Sequence, residues 1–334
     1  MIRDPFIQKG ASANLSFDYD GPPLGFYFVL LPKTTMLALA AAIEPLRIAN
    51  QLTKKPLFTW HTMTEDGEPV MCSNGLRITP DGPLAPLPAD TFGFVCAGVE
   101  PEDTCSSAIL NWLRREARFG RDLGGICTGS FALAKAGLLM GRKFTLHWEN
   151  QPGFLELFPD LSPSPAIYER DGRITTCGGG NASIDMMLAL IEQRHGPELA
   201  IMVADMCIHM RSGNRSPQRS QHSVAIGSRN PVLLKAIELM ESEIEEPLSI
   251  KEICDRLNIS RRQLERLFQR YLGQGPMACY MDLRLSRAFT YLNETKMSVI
   301  EIAAATGFAT TSNLSRQFKA KYGDSPHSFR KAWS

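Results

Sequence analysis

The segment Gly124-Gly-Ile-Cys-Thr-Gly-Ser130 sets a single cysteine, Cys127, between a short apolar run, Asp122–Ile126, and a helical stretch, Phe131–Ala136. The flanking glycines permit a tight, strained strand-to-helix turn, and the amides that follow point at whatever sits above the cysteine. A thiol at a helix N-terminus tends toward its thiolate. Nucleophilic chemistry also needs a base to take the proton and a group to orient that base. Neither is evident. The residue after Cys127 is Thr128, the stretch Lys33-Thr-Thr-Met-Leu-Ala-Leu-Ala40 carries no acid, and Glu44 lies too far on. A second polar group, His147-Trp148-Glu149, follows the helix. Its histidine either packs and satisfies a local hydrogen bond or walls a pocket beside Cys127, and an indole such as Trp148 offers a π face to a cationic amine.

A different chemistry is written near the C-terminus, where the sequence repeats. The first copy runs from Leu248 to Phe268 and the second from Met297 to Phe318. Ser249, Glu252 and Ile253 match Ser298, Glu301 and Ile302, while Leu264, Arg266, Phe268, Gly273 and Pro276 match Leu314, Arg316, Phe318, Gly323 and Pro326. Each copy has the logic of a helix-turn-helix. Ser249 and Ser298 can cap a first helix, Asn258 and Gly307 can take the left-handed turn conformation, and Ser260 can cap the following helix. In that following helix Leu264, Leu267, Phe268 and Tyr271 share one face. Arg261, Arg262, Gln263, Glu265, Arg266 and Arg270 are left for other faces. In the second copy Leu314 and Phe318 turn inward and leave Thr311, Ser312, Asn313, Arg316 and Lys319 outward. Arg, Asn, Ser and Thr are the types that hold phosphates and read base edges. One such face alone would be an ordinary solvated helix; two matched faces, each behind a turn, point to duplex DNA.

These groups need elements to position them. Strands are expected at Gly25–Leu31, Phe58–Met63, Phe92–Ala97 (closing on Gly98), Asp122–Ile126 and Arg173–Cys177, with helices at Met36–Asn50, Ala108–Phe119, Phe131–Ala136, Ser183–Arg194 and Ala200–Met210. Strands alternating with helices predict an α/β domain, a parallel sheet covered on both faces in a flavodoxin-like sandwich. Beyond it the segment from Arg211 to His222 is polar, basic and broken by Gly and Pro, which reads as a linker, and residues 229–334 read as all helix. The expected organisation is an irregular arm at 1–23, a sensing domain at 24–210, a linker at 211–228 and an all-α DNA-binding domain with two helix-turn-helix units at 229–334.

Charge follows this division. Residues 1–209 hold 17 Lys+Arg and 23 Asp+Glu, residues 210–224 three Arg and no acid, and residues 225–334 16 Lys+Arg and 12 Asp+Glu, giving net charges of −6, +3 and +4. An acidic front and a basic back suggest that only the back meets a polyanion. The eight cysteines are scattered without a C-x-x-C pair, so neither a zinc ribbon nor a thioredoxin-type site is signalled, and no cofactor or metal is expected. No apolar run is long enough to span a bilayer and no secretory leader is evident, so a cytoplasmic location is expected.

On the repeat, its Gly-x-x-Pro endings and Gly307-Phe308, residues 230–333 resemble the AraC/XylS family of transcription regulators. The resemblance implies two recognition helices entering successive major grooves, with Arg262, Glu265 and Arg266 in the first and Ser312, Asn313 and Arg316 in the second nearest the bases. On the turn at Cys127 and the βα pattern, residues 24–195 are similar to the PfpI-type, class I glutamine amidotransferase-like superfamily. PfpI-type hydrolases have a His after the elbow Cys and a Glu after the first strand; both are missing here. A branch of that superfamily fused to an AraC-type module shares the His-Trp after the elbow helix, and the resemblance implies an effector among amino acids or quaternary amines such as betaine and carnitine. The candidate effector contacts are Cys127, Thr128, Gly98, His147 and Trp148, with elbow amides available to a ligand carboxylate. The reading is a non-enzymatic, ligand-controlled activator that binds double-stranded DNA and a small-molecule effector, contacts RNA polymerase and acts as a homodimer. The alternatives are a Cys-dependent amidase- or protease-like enzyme with an appended DNA module, and a stress-type chaperone or redox sensor working through oxidation of Cys127.

Overall fold

A strand whose residues are apolar on both sides must lie inside a sheet covered on both faces. That is the case for β1 (Leu24–Leu30), in which Phe26, Phe28 and Val29 are fully buried. The computed structural model describes residues 13–102, 104–211 and 230–333, which fall into two compact units, 13–211 and 230–333. In the first, β1 is followed by α1 (Met36–Thr53), β2 (Phe58–Thr64), β3 (Val70–Met71), β4 (Arg77–Ile78), β5 (Gly82–Pro83), β6 (Phe92–Cys96), α2 (Ser107–Arg118), β7 (Asp122–Ile126), α3 (Ser130–Lys135), α4 (Gln151–Leu157), β8 (Tyr168–Asp171), β9 (Ile174–Cys177), α5 (Ala182–His195) and α6 (Pro197–Met206). Seven strands form one sheet in the order β5-β2-β1-β6-β7-β9-β8. All pairings are parallel except β8 with β9, while β3 and β4 form a separate antiparallel pair.

One face of the sheet, with Phe26, Phe28, Phe92 and Phe94, is covered by α1, α5 and α6; the other, with Val29, Val95 and Leu123, by α2, α3 and α4. The phenyl rings of Phe26 and Phe92 stack across β1 and β6 at 5.2 Å. The parallel α/β sandwich expected from the alternation is therefore present, with an antiparallel edge strand, β8, added to it.

Two local features differ from expectation. Residues 13–23 before β1 are irregular, yet docked: Leu15 N donates to Leu52 O at 2.8 Å, and Phe17 and Tyr19 meet the His195 ring edge-on at 5.5 and 5.0 Å. The helix expected to run to Met210 stops at Met206, and Ile208 takes φ 50° just beyond it. The linker expected at 211–228 lies, apart from Arg211, outside the described residues.

The second unit comprises α7 (Pro231–Ser242), α8 (Ile250–Leu257), α9 (Arg261–Leu272), α10 (Pro276–Glu294), α11 (Val299–Ala305), α12 (Thr311–Tyr322) and α13 (Pro326–Trp333). Ser249 and Ser298 close full capping boxes with Glu252 and Glu301, and Ser260 caps α9. Asn258 and Gly307 take φ of 52° and 69° at the two turns. Two apolar cores result. Cys279 and Tyr280 of α10 join the core of α7, α8 and α9, while Leu285, Ala288, Tyr291 and Leu292 join that of α11 and α12. α10 is about 28 Å long at the usual rise per residue, and it belongs to both cores.

Phe318 is fully buried and Arg316 exposed on the same helix. Phe318→Ala is expected to cost about 3–5 kcal/mol of stability, and Arg316→Ala to stay within about 0.5 kcal/mol. The midpoint of the helical unit's urea transition, followed by far-UV circular dichroism, checks both.

Candidate functional site

Two groups of side chains carry candidate chemistry. The first surrounds Cys127, at the carboxyl end of β7. Its backbone has φ 61°, and the loops beyond β1 and β6 carry Lys33 at φ 61° and Glu100 at φ 55°. Left-handed non-glycine residues cost free energy and gather at functional sites. These three sit at the ends of adjacent strands, the position where open α/β sheets bind ligands. Lys33 and Glu100 form an ion pair that joins the two loops, which also share a bridge between Thr34 and Gly98. From the neighbouring β9 turn, Gly179 approaches so closely that a Cβ there would lie 2.6 Å from Cys127 Cβ, and its φ of 79° favours glycine.

The thiolate expected from the helix terminus is not what this environment supports. Cys127 is 6% exposed. Burial pushes its thiol from 9.0 up to about 11, against the smaller opposing pull of the Thr35 hydroxyl and the Thr128 amide; the neighbouring Cys177 raises it further. α3, which begins three residues later, is only six residues long. Its dipole is too weak to reverse that desolvation. Thr35 Oγ1 lies 3.8 Å from Sγ, so the stretch after β1 supplies a neutral hydroxyl where a hydrolase would need a carboxylate.

The elbow amides are likewise not the open set that was expected. Cys127 N donates to Cys177 O at 3.0 Å and Gly129 N to Ile126 O at 3.0 Å, while the Thr128 amide serves the Cys127 sulfur. Thr128 is buried, and its hydroxyl donates to Gly98 O at 2.6 Å. Thr128 and Gly98 thus brace the crevice from within. His147 N donates to Cys127 O at 3.3 Å, which brings the His-Trp pair to the elbow. Burial lowers the pKa of the His147 imidazole, partly offset by Glu149 at 3.9 Å. Trp148 remains 40% exposed, its ring 5.6 Å from that of His147. The elbow therefore has a neutral floor, with the partly exposed Trp148 next in sequence to His147 and the carboxylates of Glu100 and Glu149 exposed on the loops after β6 and after α3. Thr35, Lys33, Glu100 and Gly179 were not singled out in the sequence, because they come together from the ends of three separate strands, β1, β6 and β9.

The second group lies on α9 and α12. Leu264 and Phe268 are fully buried, and Arg261, Arg262, Glu265, Arg266 and Arg270 are exposed on the rest of α9. Arg261 Nε pairs with Glu265 Oε1 at 2.8 Å, and Arg270 leans over the Tyr271 ring. On α12, Leu314 and Phe318 are buried, Ser312, Arg316 and Lys319 exposed, and Thr311 and Asn313 half-buried. Arg316 donates to Asn313 Oδ1 at 3.4 Å. Arg266 and Arg316 occupy matching places, each two residues after the first buried leucine.

Residues 253–332 match a family model described as a helix-turn-helix domain, and residues 41–193 one described as the DJ-1/PfpI family. The HTH-type transcriptional regulator CdhR of Pseudomonas aeruginosa is 43% identical over 302 residues, covering 90% of each chain. The chain belongs to the AraC-type HTH transcriptional regulators that carry a DJ-1/PfpI domain. A second member, GbdR of Pseudomonas aeruginosa, is 41% identical over 309 residues, 92% of this chain and 84% of that protein. The crystal structure of an AraC family transcriptional regulator from Pseudomonas putida superposes with a TM-score of 0.50 at 26% identity, over 55% of this chain and 100% of that one. The regulator is thus a DNA-binding protein with a PfpI-like domain, and among its described residues no helix is long and apolar enough to cross a membrane.

A buried thiol held protonated should alkylate only as strongly basic pH is reached. The rate of Cys127 modification by iodoacetamide, read by peptide mass spectrometry on the native regulator, is expected to rise about tenfold per pH unit beyond pH 9 and to level near the pKa of about 11. A plateau below neutral pH would mean an activated thiolate.

Proposed function

We propose that the regulator is a cytoplasmic, effector-controlled activator whose α9 and α12 enter successive major grooves, and whose PfpI-like domain binds a small amine or amino-acid-like ligand, such as a quaternary amine, over Cys127. The observation that carries the DNA reading is the matched pair Arg266 and Arg316, each outward on a short helix whose opposite face is locked into a core. Arg262, Glu265, Ser312 and Asn313 lie on the same helices as candidate base-edge contacts, and Arg261, Arg270, Thr311 and Lys319 as flanking ones. The activator role, contact with RNA polymerase and action as a homodimer follow from the likeness to the AraC/XylS family.

For the effector, the chemistry of the crevice favours a cation. Its floor is neutral, Lys33 is engaged by Glu100, and the partly exposed Trp148 supplies an aromatic face. Such a face attracts a methylated ammonium group without needing a hydrogen bond from it. An amidase reading has little support in this geometry, since the sulfur meets a hydroxyl rather than a base and burial holds it protonated. The domain accordingly senses rather than turns over its ligand.

Arg266→Ala and Arg316→Ala should each weaken specific binding by about ten- to a hundredfold, roughly 1–3 kcal/mol for a base-contacting arginine. Base-substitution scanning should place the two effects about 10 bp apart. Loss at the same base pairs for both variants would refute docking in two grooves. Binding should also fall steeply with salt.

A thermal-shift screen of amino acids and methylated amines tests the effector, because a ligand of the folded state raises the melting temperature. Betaine- or carnitine-like compounds are expected to shift the wild-type protein and to leave Trp148→Ala unshifted. A shift by anionic ligands alone would contradict the cation reading.

A further inference from the structure

The turn between α11 and α12 is held from two sides. On one side is α10: Arg284 Nε donates to Thr306 O at 2.8 Å and its second terminal nitrogen to Gly307 O at 2.6 Å, with the guanidinium 4.2 Å from the centre of the Phe308 ring. On the other side is the segment joining α7 to α8. A Cβ on Gly307 would lie 2.5 Å from Ile244 O and 2.6 Å from the Pro247 ring. Glycine is thus required here by close approach as well as by its positive φ, whereas the corresponding turn residue of the first copy, Asn258, carries a side chain.

The same stretch of α10 fastens two further pieces. Tyr280 donates its hydroxyl to Glu243 O at 2.6 Å and accepts from Leu248 N at 3.2 Å, which ties down both ends of the α7–α8 segment. Asp282 receives Lys321, near the far end of α12, at 2.7 Å. Tyr280, Asp282 and Arg284 therefore grip, within about one turn of helix, the first helix-turn-helix, the end of α12 and the turn before α12. The junction ties the segment before α8 to the turn before α12.

B-DNA advances about 3.4 Å per base pair and turns fully in about 10–10.5 bp. A pair of helices held at one separation and one rotation therefore fits one half-site spacing, and an added base pair displaces the second groove both along and around the axis. We propose that Arg284 is a positioning residue that sets the half-site spacing the regulator accepts, acting through the α11–α12 turn rather than by touching bases. This rests on the reading that α9 and α12 both dock.

The test uses the full chain and an operator selected in vitro from random duplexes, with one base pair then inserted or removed between the half-sites. Wild type should lose on the order of tenfold or more in affinity at the altered spacings, comparable to a mismatched base pair. Arg284→Met keeps an unbranched apolar stem and removes both donors together with the charge over Phe308. It should shrink that spacing penalty several-fold while base preference within each half-site is retained. A merely structural role would lower affinity equally at every spacing. Where the Met variant fails to fold by circular dichroism, Arg284→Gln, which retains one donor, serves in its place. An undiminished penalty in the folded variant overturns the proposal. A wild-type protein indifferent to spacing would overturn the two-groove reading itself.

Discussion

The constraint that organises the sensing unit is that a parallel sheet rich in phenylalanine has to be covered on both faces. Six helices do this, α1, α5 and α6 on one side and α2, α3 and α4 on the other. With both faces closed, the carboxyl ends of the central strands are where loops can converge without disturbing a core. β1, β6, β7 and β9 are neighbours in register, so Lys33, Glu100, Cys127 and Gly179 are delivered to one place by strand pairing. The same covering that stabilises the sheet removes water from Cys127, and this desolvation decides the chemistry of the crevice more than the helix behind it does.

The helical unit answers a different constraint. Helices such as α8 and α11, of eight and seven residues, are too short to be stable alone. They hold because each is capped, and because each packs into a core that α10 helps to build. Sharing one long helix between two cores has a mechanical result: α9 and α12 inherit a fixed separation from the packing that folds them. The outward faces can then be almost wholly polar, since Leu264, Phe268, Leu314 and Phe318 supply the anchoring.

Much of this was legible in the sequence wherever the signal is local. β7 at Asp122–Ile126 is found as read, because five residues bounded by a charge and a strained turn leave little choice. The caps and turns of the repeat were legible for the same reason: Ser, Asn and Gly act on their own backbone. β8 was missed because Tyr-Glu-Arg-Asp shows no apolar run, its pairing with β9 being decided at the sheet edge. α4 was missed because Pro152-Gly153 reads as a break, although proline in the first turn of a helix is tolerated. At the crevice, Cys127 announced itself through its flanking glycines. Its ionisation could not be read, because that depends on burial contributed by several strands.

The crevice also shows how a hydrolase-like elbow can serve a regulator. An enzyme uses the turn to present an ionised sulfur, with free amides to hold the developing oxyanion. Here the backbone takes up the Cys127 and Gly129 amides, the Thr128 amide turns to the sulfur, and the Thr128 hydroxyl is spent on Gly98. What persists is shape: a left-handed cysteine closed from below by Gly179 and bordered by loops that Lys33 and Glu100 tie together. A buried thiol held protonated is a poor nucleophile, so a ligand seated over it as proposed would bind reversibly. Because Gly179 opens the turn into α5, a ligand that altered the packing at Cys127 would act directly on the start of that helix. Asp185 in its first turn holds His209 at 2.8 Å, and Glu192 further along holds Arg211 at 2.5 Å. One helix, α5, thus runs from the turn beneath Cys127 to the partners of His209 and Arg211, the last described residues of the sensing unit.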